Sequence, residues 1–254
     1  MTMPPTADTF RFLDELAANA WPAQVQQGLE SWRIRATDGV TRRANSVLTA
    51  GPIPRYQDWL HHIEDFYERR GLPPRFQVSD GSPAELDPLL QSHGYEVEAT
   101  TGVFVAEAQS VIANAGDRLR TPTSASASIS EEWLNAFMAV EGFPESKKDA
   151  YRSIYSAIGP RTLYVRVTAD LETVGVGMGV TERGWSGLFG IATSPEYRGR
   201  GIATHILGRL AQWSVSNAAP NLYLQVMHNN NSALSLYTKL GFSHLYDYHY
   251  RTKV

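Results

Sequence analysis

The chain of 254 residues contains no cysteine, which excludes disulfides, thiolate metal ligands and a cysteine nucleophile. It also has little charge imbalance: 23 basic and 26 acidic residues leave a formal net charge of -3. That balance gives no general attraction to nucleic acid or to an anionic membrane surface, so any cationic site has to be local. No apolar run approaches the ~18 residues that a membrane-spanning helix needs. The first residues, "MTMPPTADTF", lack the charged start and apolar stretch of a secretion signal. These absences lead to the expectation of a cytoplasmic protein with neither a nucleic-acid nor a membrane partner, and with no metal. What is present is 43% hydrophobic and 19% charged residues, enough for a globular core in one large or two ordinary domains.

Two long segments repeat each other. "RFQVSDGSPAELDPLLQSHGYEVEATTGVFVAE" (75–107) and "YLQVMHNNNSALSLYTKLGFSHLYDYHYRTKV" (223–254) each read as strand, polar turn, short helix, glycine plus aromatic, strand. Gln77-Val78 aligns with Gln225-Val226, and Gly94-Tyr95 with Gly241-Phe242. Ser82-Pro83-Ala84-Glu85 has the form of a capping box with proline at the first helical position. In the other copy Asn230 or Asn231 can cap. Gly94 and Gly241 suit helix C-termini, where a positive φ is wanted. The pattern implies an internal duplication, with one domain over 1–112 and a second over 113–254.

In the first half, "SWRIRATDG" and "RRANSVLTA" read as strands around a turn at Asp38-Gly39. Tyr56, Trp59, Leu60, Ile63, Phe66 and Tyr67 follow at helical spacing. In the second half, helices are expected over roughly 131–140 and 146–158, the latter capped from Ser146. Strands follow in "RTLYVRVT", "TVGVGMGV" and "GWSGLFGIAT". Ala203, Ile206, Leu207, Leu210 and Trp213 then share one helical face. "TPTSASASIS" suits a linker or an edge strand. Helices set between strands imply an α/β fold with mixed sheets.

The segment between the third of these strands and its helix is Arg198-Gly199-Arg200-Gly201-Ile202-Ala203. A helix N-terminus carries unpaired N–H groups and about half a positive charge, so it accepts an anion. Gly199 and Gly201 remove side chains that would keep a phosphate from the backbone, while Arg198 and Arg200 add charge-assisted donors. Neither Gly-x-x-x-x-Gly-Lys-Ser/Thr nor a first-strand Gly-x-Gly-x-x-Gly is present, so nucleotide hydrolase and dinucleotide readings fail.

Arg198-x-x-Gly201-x-Ala203 resembles the Gln/Arg-x-x-Gly-x-Gly/Ala signature of the GCN5-related N-acetyltransferases. "NNNSALSLYTKLGF" (229–242) is similar to their second landmark, Asn-x-x-Ala-x-x-x-Tyr-x-x-x-Gly-Phe. The resemblance covers roughly 130–254. The first half, with "GPIPRYQDW" where the loop should be, resembles a degenerate copy, because its prolines remove N–H donors. The resemblance implies α/β architecture: two tandem domains of this type, each a mixed, mostly antiparallel sheet flanked by helices. It also implies an N-acetyltransferase that uses acetyl-CoA and an amine acceptor, drawn from small molecules or peptides.

On that resemblance the pyrophosphate lies on Arg198, Gly199, Arg200, Gly201, Ile202, Ala203 and Thr204. The pantetheine arm lies along Ile191, Ala192 and Thr193, with Asn230 beside it, and Tyr237 protonates the departing thiolate. The general base stays open. Relatives often carry a glutamate on the strand before the loop, but Gly187-Leu188-Phe189-Gly190 has no acid. His228, acting through water, and Glu141 are the candidates; Glu182 and Asp170, beside turns, are less suited. Trp133, Phe137, Phe143, Tyr151 and Tyr155 fall where relatives shape the acceptor pocket, and "DYHYR" (247–251) is a further source of a tyrosine. The missing strand glutamate leaves a non-catalytic acyl-CoA sensor or scaffold as the alternative. A further possibility is that Arg33, Arg35, Arg42 or Arg43 binds an anionic acceptor group. A duplicated chain can bury the surface that single-copy relatives use to dimerise, which favours a monomer.

Overall fold

The computed structural model describes residues 5–116 and 122–253. By contacts the chain divides into two compact units, Met1–Gly102 with Leu245–Val254, and Val103–His244. The division falls inside one strand, between Gly102 and Val103, and inside the last strand, between His244 and Leu245. A single boundary at 112/113 follows the repeat in sequence, whereas these divisions follow where the strands pair.

The first unit is built from α1 (Ala7–Asn19), β1 (Val25–Leu29), β2 (Trp32–Ala36), β3 (Val47–Leu48), α2 (Trp59–Glu68), β4 (Arg75–Ser79), α3 (Leu86–Ser92) and the start of β5 (Glu96–Glu107). The chain's last strand, running to Thr252, pairs antiparallel with β4 here, Tyr248↔Ser79 to Thr252↔Arg75. The helical spacing read from 56 to 67 is realised by α2, whose Trp59, Ile63, Phe66 and Tyr67 are buried; Tyr56 lies ahead of the helix and is exposed. The Trp59 ring meets Trp32 and Phe76 edge-on, at 5.3 Å and 6.1 Å.

Two local expectations for this unit are corrected. "RRANSVLTA" forms a strand only at Val47–Leu48, because the side chain of Asn45 organises the preceding residues as a loop. Its Nδ2 donates to the Val40 carbonyl at 2.7 Å, and its Oδ1 accepts from the N–H groups of Thr37 at 2.7 Å and Gly39 at 3.1 Å. The capping box at 82–85 does not form: Ser82 Oγ accepts from the Ser79 N–H at 3.0 Å, and α3 begins only at Leu86.

This unit also buries a polar cluster. Asp14 on α1 accepts from Ser79 Oγ at 2.6 Å and from the Tyr246 hydroxyl at 2.8 Å. Arg35, 1% exposed, donates to the Ser46 carbonyl at 3.0 Å and to Gln77 Oε1 at 3.1 Å. The other arginines offered as anion ligands are engaged within the unit as well. Arg33 bonds Asn19 Oδ1 at 3.1 Å, Arg42 pairs with Glu98 at 2.9 Å, and the Arg43 guanidinium lies 5.2 Å over the Trp21 ring. The tyrosines of "DYHYR" are buried in this unit.

The second unit continues from β5 through α4 (Ala108–Ala115), β6 (Thr123–Ser126), α5 (Glu131–Glu141), α6 (Lys148–Ser156), β7 (Arg161–Ala169), β8 (Glu172–Glu182), β9 (Trp185–Thr193), α7 (Ile202–Ser216), β10 (Asn221–Met227), α8 (Asn231–Lys239) and the first residues of β11 (Ser243–Thr252). Its strands are ordered β5-β10-β9-β8-β7-β6. Strands β6 to β9 pair antiparallel in sequence, and "TPTSASASIS" supplies the edge strand β6. Ser146 does not cap α6: a 3-10 turn at Glu145–Lys147 leads in, with no side-chain cap.

Helix α7 buries Ile202, Ile206, Leu207 and Leu210 against this sheet, and alternate glycines of β8 let it approach closely. A β-carbon on Gly175 would stand 2.5 Å from Ile202 Cγ2, and one on Gly177 2.6 Å from Ile206 Cγ2. Both lie well inside van der Waals contact. The intervening Val176 and Met178 are buried and alternate with these glycines, as the two-residue period of a strand requires. Each unit is thus a mixed, mostly antiparallel sheet flanked by helices.

Candidate functional site

β9 does two things that open a cleft. Met178 pairs with Phe189 but Val176 with Ala192, so Gly190 and Ile191 together stand opposite Gly177. This is a β-bulge, and Gly190 takes the positive φ of +58° that it demands. On its other edge β9 pairs parallel with β10 only from Trp185↔Asn221 to Leu188↔Leu224. Beyond that point the two strands part, and the main chain of 189–193 is left without a strand partner on that edge.

The parted strands lead to the glycine–arginine loop. Pro195–Tyr197 forms a 3-10 turn, and Gly199 and Gly201 adopt φ of +75° and +82°. Gly201 is the N-cap of α7, and its carbonyl already accepts from the His205 N–H at 3.0 Å. No side chain caps this helix start, so its first N–H groups remain available. Nothing lies within 4 Å of a β-carbon placed on Gly199. The turn is braced by the Tyr197 hydroxyl, which donates to Asp170 Oδ2 at 3.1 Å, and by the Arg200 guanidinium 4.8 Å over the Tyr197 ring.

These features line one cleft of about 820 Å³. It brings together Ile191, Ala192, Thr193, Arg198, Gly199, Gly201, Ile202, Ala203 and Thr204 with Asn230, Tyr237 and Glu141. Arg200 and His228 are not among the lining residues. Arg200 stacks on Tyr197, and His228 is exposed, its ring 6.5 Å from that of His244. Asn230 is the N-cap of α8, its Oδ1 accepting from the Ala233 N–H at 3.2 Å. Gly241, with φ of +95°, ends the same segment. In the cleft wall Thr193 Oγ1 is buried without a hydrogen-bond partner, an arrangement that folded proteins rarely leave unfilled.

The cleft's ionisable groups are displaced from their ordinary behaviour. Burial pushes the Tyr237 phenol up to about 12, and the negative charge of Glu141 adds to the rise. At neutral pH this tyrosine is therefore a full-time proton donor. Glu141 is exposed by accessible surface, yet its carboxyl is partly desolvated, which raises its pKa against the opposing charge of Arg198. Among the described residues Arg198 makes no hydrogen bond or ion pair through its side chain.

The aromatic residues that fall where relatives shape the acceptor pocket form a packed cluster, most of them in the core. Trp133, Phe137, Tyr151 and Tyr155 are all buried, and only Phe143 is partly open. Trp133 and Phe137 stack at 5.4 Å, and the Trp133 indole N–H donates to the Val165 carbonyl at 2.9 Å. Sequence reasoning missed several lining residues, among them Tyr197, Val140, Leu236 and Lys239. Ala233, Leu236 and Tyr237 lie three and four apart and so share a helical face, a signal that would have found Leu236.

A family model described as "Probable histone acetyltransferase Rv0428c C-terminal" matches residues 6–251. The chain is 33% identical over 246 residues to "Uncharacterized N-acetyltransferase YobR" of Bacillus subtilis (strain 168), covering 97% of this chain and 99% of that one. Among solved structures it resembles a GCN5-related N-acetyltransferase from Kribbella flavida, with a TM-score of 0.72 at 16% identity over 99% of this chain and 96% of that one. It also resembles a tandem GNAT protein from the clavulanic acid biosynthesis pathway, with a TM-score of 0.68 at 10% identity over 99% and 90%. Among the described residues no helix is long and apolar enough to cross a membrane.

Proposed function

The chain belongs to the GCN5-related N-acetyltransferases and is an N-acetyltransferase, and on that premise we propose that the cleft of the second unit transfers acetyl from acetyl-CoA to a primary amine of a small molecule or peptide. One observation carries this reading: the open N-terminus of α7, the unpaired edge of β9 and Tyr237 line the same cleft. The N–H groups at Gly199–Thr204 suit a pyrophosphate, with Arg198 as a charge-assisted donor. The edge of 191–193 suits an extended arm carrying amide groups, and the orphan hydroxyl of Thr193 offers it one more partner. Asn230 flanks the arm from the start of α8.

Acetyl-CoA supplies an activated thioester; this chain's residues do the rest. Attack needs the amine in its neutral form. At pH 7 deprotonation costs about 4.6 kcal/mol for a lysine-like amine of pKa ~10.4 and about 1.4 kcal/mol for an α-amine near 8. Glu141, its basicity raised by the cleft walls, takes the amine proton directly or through one water. The nitrogen–carbon bond forms, the carbon–sulfur bond breaks, and Tyr237 donates a hydrogen bond to the departing sulfur. Because a phenol near 12 is a far weaker acid than a thiol of pKa ~8.5, Tyr237 assists departure by hydrogen bonding and need not complete the transfer. In this reading Glu141 on α5 takes the place of the acid missing from β9, which favours catalysis over a non-catalytic sensor.

The test is release of free CoA thiol from acetyl-CoA with a panel of α-amines, alkylamines and lysine peptides. Turnover on at least one member, lost in Arg198→Glu with the fold retained, is the expected result. No turnover on any member, in protein that binds acetyl-CoA, would remove the amine-acceptor reading.

A further inference from the structure

We propose that Phe137, backed by Trp133, closes the inner end of the cleft and limits the donor to a short acyl group. This inference rests on the donor reading above, in which the phosphates lie at α7 and the arm runs back along β9 toward the bulge. The thioester end then comes to Gly190.

Gly190 is backed by aromatic rings. A β-carbon placed on it would stand 3.4 Å and 3.7 Å from two ring carbons of Phe137 and 3.8 Å from Trp133 Cη2. The cleft lining runs along Ile191–Thr193 and Val140–Glu141 but includes neither Gly190 nor Phe137. The open space therefore stops where the bulge meets these rings. Phe137 cannot easily swing aside. It stacks on Trp133 with an interplanar angle of 7°, and Tyr151, Tyr155 and Phe143 meet it at 5.4 Å, 5.6 Å and 5.7 Å. It is 4% exposed, and Trp133, 3% exposed, is tied to the Val165 carbonyl by its N–H. Close-packed rings held on several sides yield only at the cost of moving their neighbours. A donor with two more carbons would press against these rings.

The experiment compares acetyl-, propionyl- and butyryl-CoA on the whole chain, by dissociation constant and by kcat/KM with the best acceptor. Wild type should favour acetyl over butyryl by roughly tenfold or more, the scale on which a packed pocket resolves chain length. Phe137→Ala should recover butyryl relative to acetyl at least fivefold. Phe137→Leu keeps most of the volume and serves if the alanine variant does not fold. Phe143→Ala, from the outer side of the same cluster, should leave the ratio unchanged. If wild type accepts acetyl and butyryl within threefold, or if Phe137 variants lower all donors equally, the wall is refuted while the donor reading stands. If no acyl-CoA binds at all, the donor reading fails and takes the wall with it.

Discussion

Replacing Asp14 by asparagine should change how stability depends on pH in a direction opposite to the usual carboxylate. Asp14 is 5% exposed, and burial raises its pKa from 3.8 to about 6 despite the hydrogen bonds from Ser79 and Tyr246. A carboxyl whose folded pKa lies above its unfolded one stabilises the fold below the unfolded value, and that stability is lost as pH rises through the folded value. Over the whole interval a shift of about 2 units corresponds to roughly 3 kcal/mol, of which about 1.3 kcal/mol is lost between pH 5 and pH 7. Asparagine is nearly isosteric and does not titrate. Ser79 and Tyr246 hydroxyls can turn to accept from its amide, so the cluster keeps its partners. Urea unfolding of wild type and Asp14→Asn at pH 5 and pH 7 isolates the effect, because the other titrating groups cancel in the difference. The variant should gain on wild type by about 1 kcal/mol across that interval. A difference that stays constant with pH would refute the argument. So would one that moves the other way, since Asp14 would then be ionised at no cost in the fold.

Four further outcomes follow from the second unit. Tyr237→Phe should lower kcat by roughly 10- to 100-fold, at or below the usual range for a positioned acid, while the dissociation constant for acetyl-CoA stays within twofold; a large affinity loss with normal turnover would show a packing role instead. Glu141→Gln should remove the acid-side limb of the kcat/KM–pH profile, which in wild type lies above the ordinary carboxylate range because the cleft desolvates the group. Arg198→Ala should move that limb to higher pH, since the arginine's charge is what opposes the rise. Gly177→Ala should cost about 1–3 kcal/mol by overpacking and weaken acetyl-CoA binding, read by thermal unfolding with and without ligand, because its β-carbon would meet both Ile206 on α7 and Ile191 on β9.

The fold was legible where a physical period or a turn requirement dominated. The face of α7, the strands β7 to β9 and the positive-φ glycines 94 and 241 all follow from local rules that nothing at long range overrides. The short β3 was not legible, because one asparagine reaching five backbone groups outweighs strand propensity, and no local pattern announces that. The alternate glycines of β8 were visible as "TVGVGMGV" but not their purpose, which needs the partner helix to be in place.

The site shows the same division more sharply. Main-chain chemistry is readable from sequence, because a loop that offers N–H groups must contain the residues that permit its φ angles; Gly199 and Gly201 at +75° and +82° are what the spacing implied. Side-chain chemistry is not tied to a position in this way. A base has only to reach the acceptor, and any element bordering the cleft can supply it. Here two positions of β9 resist a side chain: Gly190 holds a φ of +58° at the bulge, and a β-carbon on Gly187 would stand 2.5 Å from the Tyr223 ring. The carboxylate in the cleft comes instead from the last residue of α5, next to the left-handed Gly142 that ends the helix. That helix end places Glu141 on the cleft lining, where desolvation raises its pKa and the charge of Arg198 opposes the rise.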